Sequence, residues 1–260
     1  MADSFAPLFV SHGAPTLCVE DNATTRYFSS CLNGQGRPKA VLAVSAHWQT
    51  EGLRVTRWET SPLLYDFYGF PEALYRVRYP APGAPDLAES VRVLSDAARL
   101  GPVTFDGKRG LDHGVWVPLL FMLPQADVPV VQLSLPKGWK PAQVYELGRI
   151  LSPLREQGVL MLGSGGAVHN LSTVVLNSNT VPNWARVFEE WLCEALANWN
   201  TEDLFEYWRM APHGVQAHPS EEHFLPLLFP MGVSDAGRSA KILHREFMHG
   251  TLSMLSAAFQ

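Results

Sequence analysis

Nine histidines punctuate a chain of 260 residues, and four of them stand where a fold can use them chemically. His12 follows the apolar run 8–10 and Ser11. His47 follows the run 40–44 and Ser45-Ala46. His169 lies three residues beyond the turn Gly163-Ser164-Gly165-Gly166, which ends the run 159–162, and His113 sits in Gly110-Leu111-Asp112-His113-Gly114. Open α/β sheets bind ligands beyond the carboxyl ends of their strands. Three strand ends that each deliver an imidazole form a pattern suited to a metal ion. A neutral imidazole is a metal ligand, and a pKa near neutrality also fits it for moving protons.

A second cluster is His218-Pro219-Ser220-Glu221-Glu222-His223. Residues 219–222 are expected to open a short helix that Pro226 interrupts or ends, with Pro219 at its start, His218 before it and His223 about one turn in. The spacing is not HExxH, which excludes a zincin. Glu222 is a candidate ligand or ligand support, whereas Glu221 reads as a first-turn carboxylate favoured by the helix dipole. His244 and His249, among Lys241, Arg245 and Glu246, read as a solvated face. Two motifs are decoys. The glycine turn lacks both the GK[ST] ending of a P-loop and the GxGxxG spacing, and Ser164 lacks the G-x-S-x-G setting of a hydrolase nucleophile. Trp184, Trp191, Trp199 and Trp208 recur at helical spacings and read as core packing.

The elements that position these residues follow from periodicity. The runs 7–11, 40–44, 128–135 and 159–162 read as strands, the middle ones buried on both faces. Residues 53–58 alternate as a half-buried strand, and 103–105 form a short one. Helices are expected over 22–32, over 86–100 from Leu87, Val91 and Leu94, over 115–122, over 141–155 with Pro141 in the first turn and Pro153 breaking it, and over 183–198. Thr201-Glu202-Asp203 reads as a helix cap. Residues 61–85, rich in Tyr, Phe, Gly and Pro, form a long ordered loop. Strands alternating with helices predict an α/β fold: one domain over residues 1–260, with a central mostly parallel or mixed sheet flanked by helices on both faces.

Composition narrows the function classes. Hydrophobic residues make up 47% and charged residues 17%, enough apolar material for a large core. A net charge of −5 disfavours nucleic acid and anionic membranes as partners. The three cysteines, Cys18, Cys31 and Cys193, form no CxxC, so neither a disulfide framework nor a cysteine zinc site is supported. The start, Met-Ala-Asp-Ser-Phe, lacks the pattern of a signal peptide, and a cytoplasmic location is expected. No apolar run approaches the roughly 18 residues of a membrane span.

Taken together, Ser11-His12-Gly13-Ala14-Pro15, Ser45-Ala46-His47-Trp48, Gly110-Leu111-Asp112-His113-Gly114, Gly163-Ser164-Gly165 with Val168-His169-Asn170-Leu171, and Ala217-His218-Pro219 with Glu222-His223-Phe224 give a resemblance. The chain resembles the class III extradiol ring-cleavage dioxygenases of the LigB-like superfamily, and within it the 4,5-DOPA dioxygenase branch of bacteria and plants. The resemblance runs from residue 8 to about 232. It implies that His12, His47 and His223 hold one metal ion, that His169 acts as acid and base, and that His113 faces the substrate. It also implies that 252–259 returns to the sheet as a strand.

Better-known members hold ferrous iron through two histidines and a glutamate. Three imidazoles suit Fe(2+) or Zn(2+), one per chain. The partners implied are a catechol of DOPA-like character and dioxygen, and a homodimer is neither required nor forbidden. Two other readings of the same residues are a zinc-dependent hydrolase and a metal-holding protein without turnover. Tyr65, Phe67, Tyr68 and Phe70, in the stretch 65–79, are expected to form a lid over the ring. Arg76, Arg78, Arg109 and Lys137 are candidate partners for a substrate carboxylate.

Overall fold

A strand with no polar face must be covered on both sides, so the apolar runs become the middle of one sheet. A computed structural model describes residues 5–260. Residues 1–4, on which the signal-peptide reading largely rests, lie outside the described residues. The strands are β1 (Leu8–Ser11), β2 (Ala40–Thr50), β3 (Arg54–Thr56), β4 (Thr104–Asp106), β5 (Val130–Pro136), β6 (Val159–Gly165), β7 (Ala240–His244), β8 (Phe247–Met248), β9 (Leu252–Ser253) and β10 (Ser256–Phe259). Eight form one mixed sheet in the order β4-β3-β5-β2-β6-β1-β10-β7, and β8 and β9 form a separate ribbon. The central four, β5, β2, β6 and β1, are parallel. β3 runs against β5, and β10 against β1.

The helices α1 (Ala23–Ser30), α2 (Glu72–Tyr75), α3 (Pro85–Ala97), α4 (His113–Met122), α5 (Pro141–Leu151) and α6 (Asn183–Ala197) fill the connections. Successive strand residues point to opposite faces, and each face has its own core. Leu42, Val44 and Met161 pack with Val91 of α3, Leu147 of α5 and Phe188 of α6. Val41, Ala43 and Leu162 pack with Phe28 of α1 and with Val115 and Trp116 of α4. This is the α/β architecture the alternation predicts. Among the described residues no helix is long and apolar enough to cross a membrane.

Several local expectations are corrected. The helix expected over 115–122 begins at His113, with Asp112 at the cap position. The one expected over 141–155 stops at Leu151, and Pro153 opens a 3-10 turn, Ser152–Gln157. Asn200, not Thr201, caps the next helix, its side chain accepting from the Asp203 N–H. Residues 61–85 include the short α2. Residues 219–222 are not helical: the chain turns there, then forms a 3-10 turn at Leu225–Leu227 and a helix at Leu228–Val233. The physical reason is that the His223 carbonyl accepts from the Gly166 N–H at 3.0 Å, a tertiary bond that outweighs the weak helix preference of so short a segment. The expected strand over 252–259 divides between β9 and β10.

Candidate active site

Parallel register brings the carboxyl ends of β1, β6 and β2 to one level: Ser164 stands opposite both Val10 and Ser45. His12, just beyond β1, donates its N–H to the Gly165 carbonyl at 3.0 Å. His47 lies in β2, where the register with β5 shifts between Val44 and Gln49. Such irregularities re-aim side chains next to active sites. His113 is the first residue of α4. The buried Asp112 carboxylate accepts from Ser45 Oγ at 2.7 Å, Gln132 Nε2 at 2.5 Å and Arg109 Nη2 at 3.3 Å, docking the start of α4 on the sheet.

Two glycines permit this crowding. A methyl group on Gly114 would lie 2.7 Å from Ser45 Oγ and 3.1 Å from His12 Nδ1. One on Gly165 would lie 2.2 Å from the His223 carbonyl oxygen, so the segment that carries His223 approaches only because Gly165 has no side chain.

All five predicted histidines line one cavity of about 280 Å³. The ring centroids of His12, His47 and His223 lie 4.8, 5.4 and 5.0 Å apart pairwise. His113 is 4.1 Å from His47. His169 stacks on His223 at 3.4 Å, with the planes 6° apart. Hydrogen bonds decide which nitrogens are free. Ser164 Oγ donates to the Gly114 carbonyl, so it can only accept from His12 Nδ1, 2.9 Å away. His223 Nδ1 donates to Glu222 Oε1 at 3.1 Å, and Ser220 Oγ steadies the same oxygen at 2.9 Å. His47 Nδ1 lies 3.5 Å from Asp66 Oδ2. The bonds of His12 and His223 fix their protons on Nδ1, and the Asp66 carboxylate favours the same tautomer of His47, so that each Nε2 lone pair is left bare.

Those bare nitrogens are what a metal ion needs. His12 Nε2 and His47 Nε2 are 2.9 Å apart. Two lone pairs so close repel unless a cation or a proton lies between them. A charged His12 is disfavoured by burial, then by the neighbouring imidazoles, and a neutral His47 with its proton on Nε2 would turn its Nδ1 lone pair toward the Asp66 carboxylate 3.5 Å away. Among the described residues, His223 Nε2 is buried with no partner. The donor set therefore fits one divalent ion, with the Nδ1 partners orienting the ligands. His12, His47 and His113 offer nitrogens within 4.8 Å of one another, as do His169 and His223 with a Glu222 oxygen.

Burial disfavours the charged forms of His169 and His223. Burial lowers His169 to about 4 against the opposing pull of Glu222. Burial also lowers His223 to about 3, with Glu222 opposing and the other imidazoles adding. The hydrogen bond from His223 holds Glu222 at about 2 despite burial.

Sequence reasoning missed Asp66, Asp112 and Ser164 as working parts. Asp66 Oδ1 accepts from His113 Nδ1 at 2.8 Å and from the His113 N–H at 3.0 Å, while Oδ2 faces His47. Burial raises the Asp66 pKa, but the bonds and charge of His113, with His47, outweigh it and bring it to about 2. A lone acid between Tyr65 and Phe67 in an aromatic loop was the only signal available. That loop is anchored beside the cavity: Leu64 N–H donates to the Leu111 carbonyl at 2.7 Å and Tyr65 Oη to the Val77 carbonyl at 2.6 Å. Phe67 and Phe70 line the cavity, Tyr65 packs on Trp116, and Tyr68 is exposed.

Other readings change too. His244 is not solvated: it stacks on Tyr27 at 4.9 Å and bonds Thr24 Oγ1 at 2.9 Å. His249 Nδ1 accepts the Asn177 N–H at 3.1 Å. Glu221 pairs with Lys140 at 3.0 Å. His218 is buried, its Nε2 3.0 Å from the Ala167 carbonyl. Trp199 is core, but Trp208 is exposed.

Comparison with known proteins places this geometry. Residues 8–260 match the family described as the catalytic LigB subunit of aromatic ring-opening dioxygenase. A Beta vulgaris protein named 4,5-DOPA dioxygenase extradiol is 39% identical over 254 residues, covering 96% of this chain and 95% of its own. An Escherichia coli K12 protein of the same name is 40% identical, over 96% and 92% of the two chains. The crystal structure of an uncharacterized Escherichia coli K12 protein superposes with a TM-score of 0.83 at 36% identity, covering 98% of this chain and 99% of the other.

Proposed function

The chain belongs to the family of the catalytic LigB subunit of aromatic ring-opening dioxygenases and is a metal-dependent extradiol dioxygenase; on that premise we propose that it opens a single-ring catechol about the size of DOPA, using His12, His47 and His223 as ligands to one ferrous ion. The observation that supports this most directly is the convergence of three imidazoles, two with Nδ1 hydrogen-bonded and the third with Nδ1 facing a carboxylate, with His223 Nε2 buried and unpartnered among the described residues. His223 is preferred to His113 as third ligand for that orphaned nitrogen. The donor set suits zinc equally, so the choice of iron rests on the reaction. When bound, a ferrous ion would supply catechol chelation and the redox chemistry that zinc, a closed-shell ion, lacks.

The residues do the rest. His169 is neutral at pH 7, with a pKa of about 4, and serves as the base that takes a catechol proton and later returns one. His113, its Nδ1 held by Asp66, lines the same cavity and hydrogen-bonds a substrate oxygen. Phe67, Phe70 and Met254 exclude water. Catechol plus O2 gives a ring-opened semialdehyde that keeps both oxygen atoms, so no external reductant is consumed.

The test is oxygen uptake by anaerobically iron(II)-loaded protein over a panel of catechols, recorded with visible absorbance. Uptake with a new absorbance band is expected. Absence of uptake from protein carrying one iron per chain would sink the reading. In parallel, His223→Ala should lose the metal and His113→Ala should keep it; the reverse would exchange their roles.

A further inference from the structure

Residues 166–170 carry His169 along the cavity with no helix or ladder of their own, apart from a single bridge between Val168 and Ser253. Backbone groups in such a loop stay fixed only if partners elsewhere in the chain hold them. On one side the Gly166 N–H donates to the His223 carbonyl and the Ala167 N–H to Ser11 Oγ, both at 3.0 Å. On the other side, three successive residues bind the loop around His169. The His169 N–H donates to the Ala217 carbonyl at 3.0 Å, and Asn170 Nδ2 to the Gln216 carbonyl at 2.7 Å. His218 Nε2 donates to the Ala167 carbonyl at 3.0 Å.

His218 is the member of this clamp that packing alone does not account for. It is 3% exposed. A carbonyl only accepts, so the ring carries a proton on Nε2. Nδ1 is then buried without a partner among the described residues. An unpaired buried acceptor is unfavourable, and an apolar side chain would avoid it. The ring is held by Phe188, Tyr207 and Phe224, whose centroids lie 5.6, 5.7 and 5.3 Å from its own. It does not line the cavity, so it reaches the chemistry only through the loop.

We propose that His218 is a positioning residue: its bond to the Ala167 carbonyl, with the Ala217 bond to the His169 N–H, holds the His169 imidazole where it exchanges a proton with the substrate. The proposal deepens the ring-opening function and rests on it, with His169 as the base. A base must lie within hydrogen-bond reach of the proton it takes, and a misplacement of about 1 Å can cost about a hundredfold in rate.

The experiment compares two variants of the iron-loaded full chain acting on DOPA. His218→Phe keeps an aromatic ring and removes the donor, whereas His218→Gln places an amide N–H near the position of Nε2. Both should hold one metal per chain, with KM within about threefold of wild type. His218→Phe should lose at least about tenfold in kcat, and His218→Gln should recover most of it. If His218→Phe does not fold, His218→Asn, whose amide reaches only the position of Nδ1, serves as the variant without the donor. In the His169→Ala background, His218→Phe should change the residual rate by less than about twofold, because the two residues act as one unit. Amide hydrogen exchange of residues 166–170 in metal-free protein should be at least about tenfold faster in His218→Phe than in wild type. A wild-type kcat in His218→Phe, a loss that His218→Gln does not recover, a further drop in the double variant or unchanged exchange would each overturn the proposal and leave the dioxygenase reading standing. If wild-type protein opens no catechol, both fall.

Discussion

Replacing Asp66 by Asn isolates the electrostatic part of the bridge between His47 and His113. The amide keeps one oxygen for the His113 N–H and Nδ1–H, which lie 3.0 and 2.8 Å from Oδ1. Its NH2 group then takes the place of Oδ2, 3.5 Å from His47 Nδ1. Two donors face each other there, and the relief open to His47 is to move its proton to Nε2. That tautomer has no lone pair for the metal. The loss can be sized in two ways. A hydrogen bond to a charged group is worth about 1.5–3 kcal/mol. Removing a group that orients a metal ligand typically costs about 10–100-fold in affinity or activity, or about 1.4–2.7 kcal/mol, and the two ranges agree. Metal-free Asp66→Asn should therefore bind iron(II) or zinc at least about tenfold more weakly in competition with a chelator. Its kcat/KM at saturating metal should also fall, because His113 loses its charged partner. Melting curves establish that the fold survives. Wild-type metal affinity together with wild-type kcat/KM would refute the reasoning.

Three further outcomes follow from the same geometry. His169→Ala should retain the metal and lose at least about a hundredfold in turnover, the low end for acid–base catalysis; metal loss on elemental analysis would make His169 a ligand instead. Gly165→Ala pushes a methyl group to 2.2 Å from the His223 carbonyl, so it should cost about 2 kcal/mol or more, a drop in Tm of about 4 °C or more, and weaken metal binding. The third concerns acid. His169, His218 and His223 are held at about 4, 4 and 3 in the folded chain, chiefly by burial, against about 6.5 unfolded. The unfolded chain then binds more protons between those values, so stability is full above about pH 6.5 and declines as pH falls toward 4. Each group contributes up to about 1.4 kcal/mol per pH unit. The Tm of metal-free protein should fall steeply between pH 7 and 5, and a flat profile would contradict the buried neutral cluster.

Much of this protein was legible in one dimension. Uninterrupted apolar runs such as 40–44 and 159–162 gave away strands covered on both faces, because no polar side chain breaks them. The residue that ends such a run marks a carboxyl end, which is why His12 and His47 could be singled out. His113, His169 and His223 came from motifs, and the structure brings all three to the same cavity.

What stayed hidden depended on long-range contact. Asp66 is 47 residues from His113, and Ser164 is 152 from His12; nothing in local spacing reports such a bond. The expected helix over 219–222 was overruled by a hydrogen bond to Gly166, a partner local propensity cannot see. His244 looked solvated among charged neighbours until Tyr27 stacked on it. Two of the four expected cations, Arg76 and Lys137, pair with acids on the surface. Sequence alone determined which elements form and which imidazoles stand at their ends, since those follow from periodicity and chain order. Only the tertiary structure decided the proton positions on those imidazoles and the character of the wall opposite them, because both are properties of neighbours the chain meets only when folded.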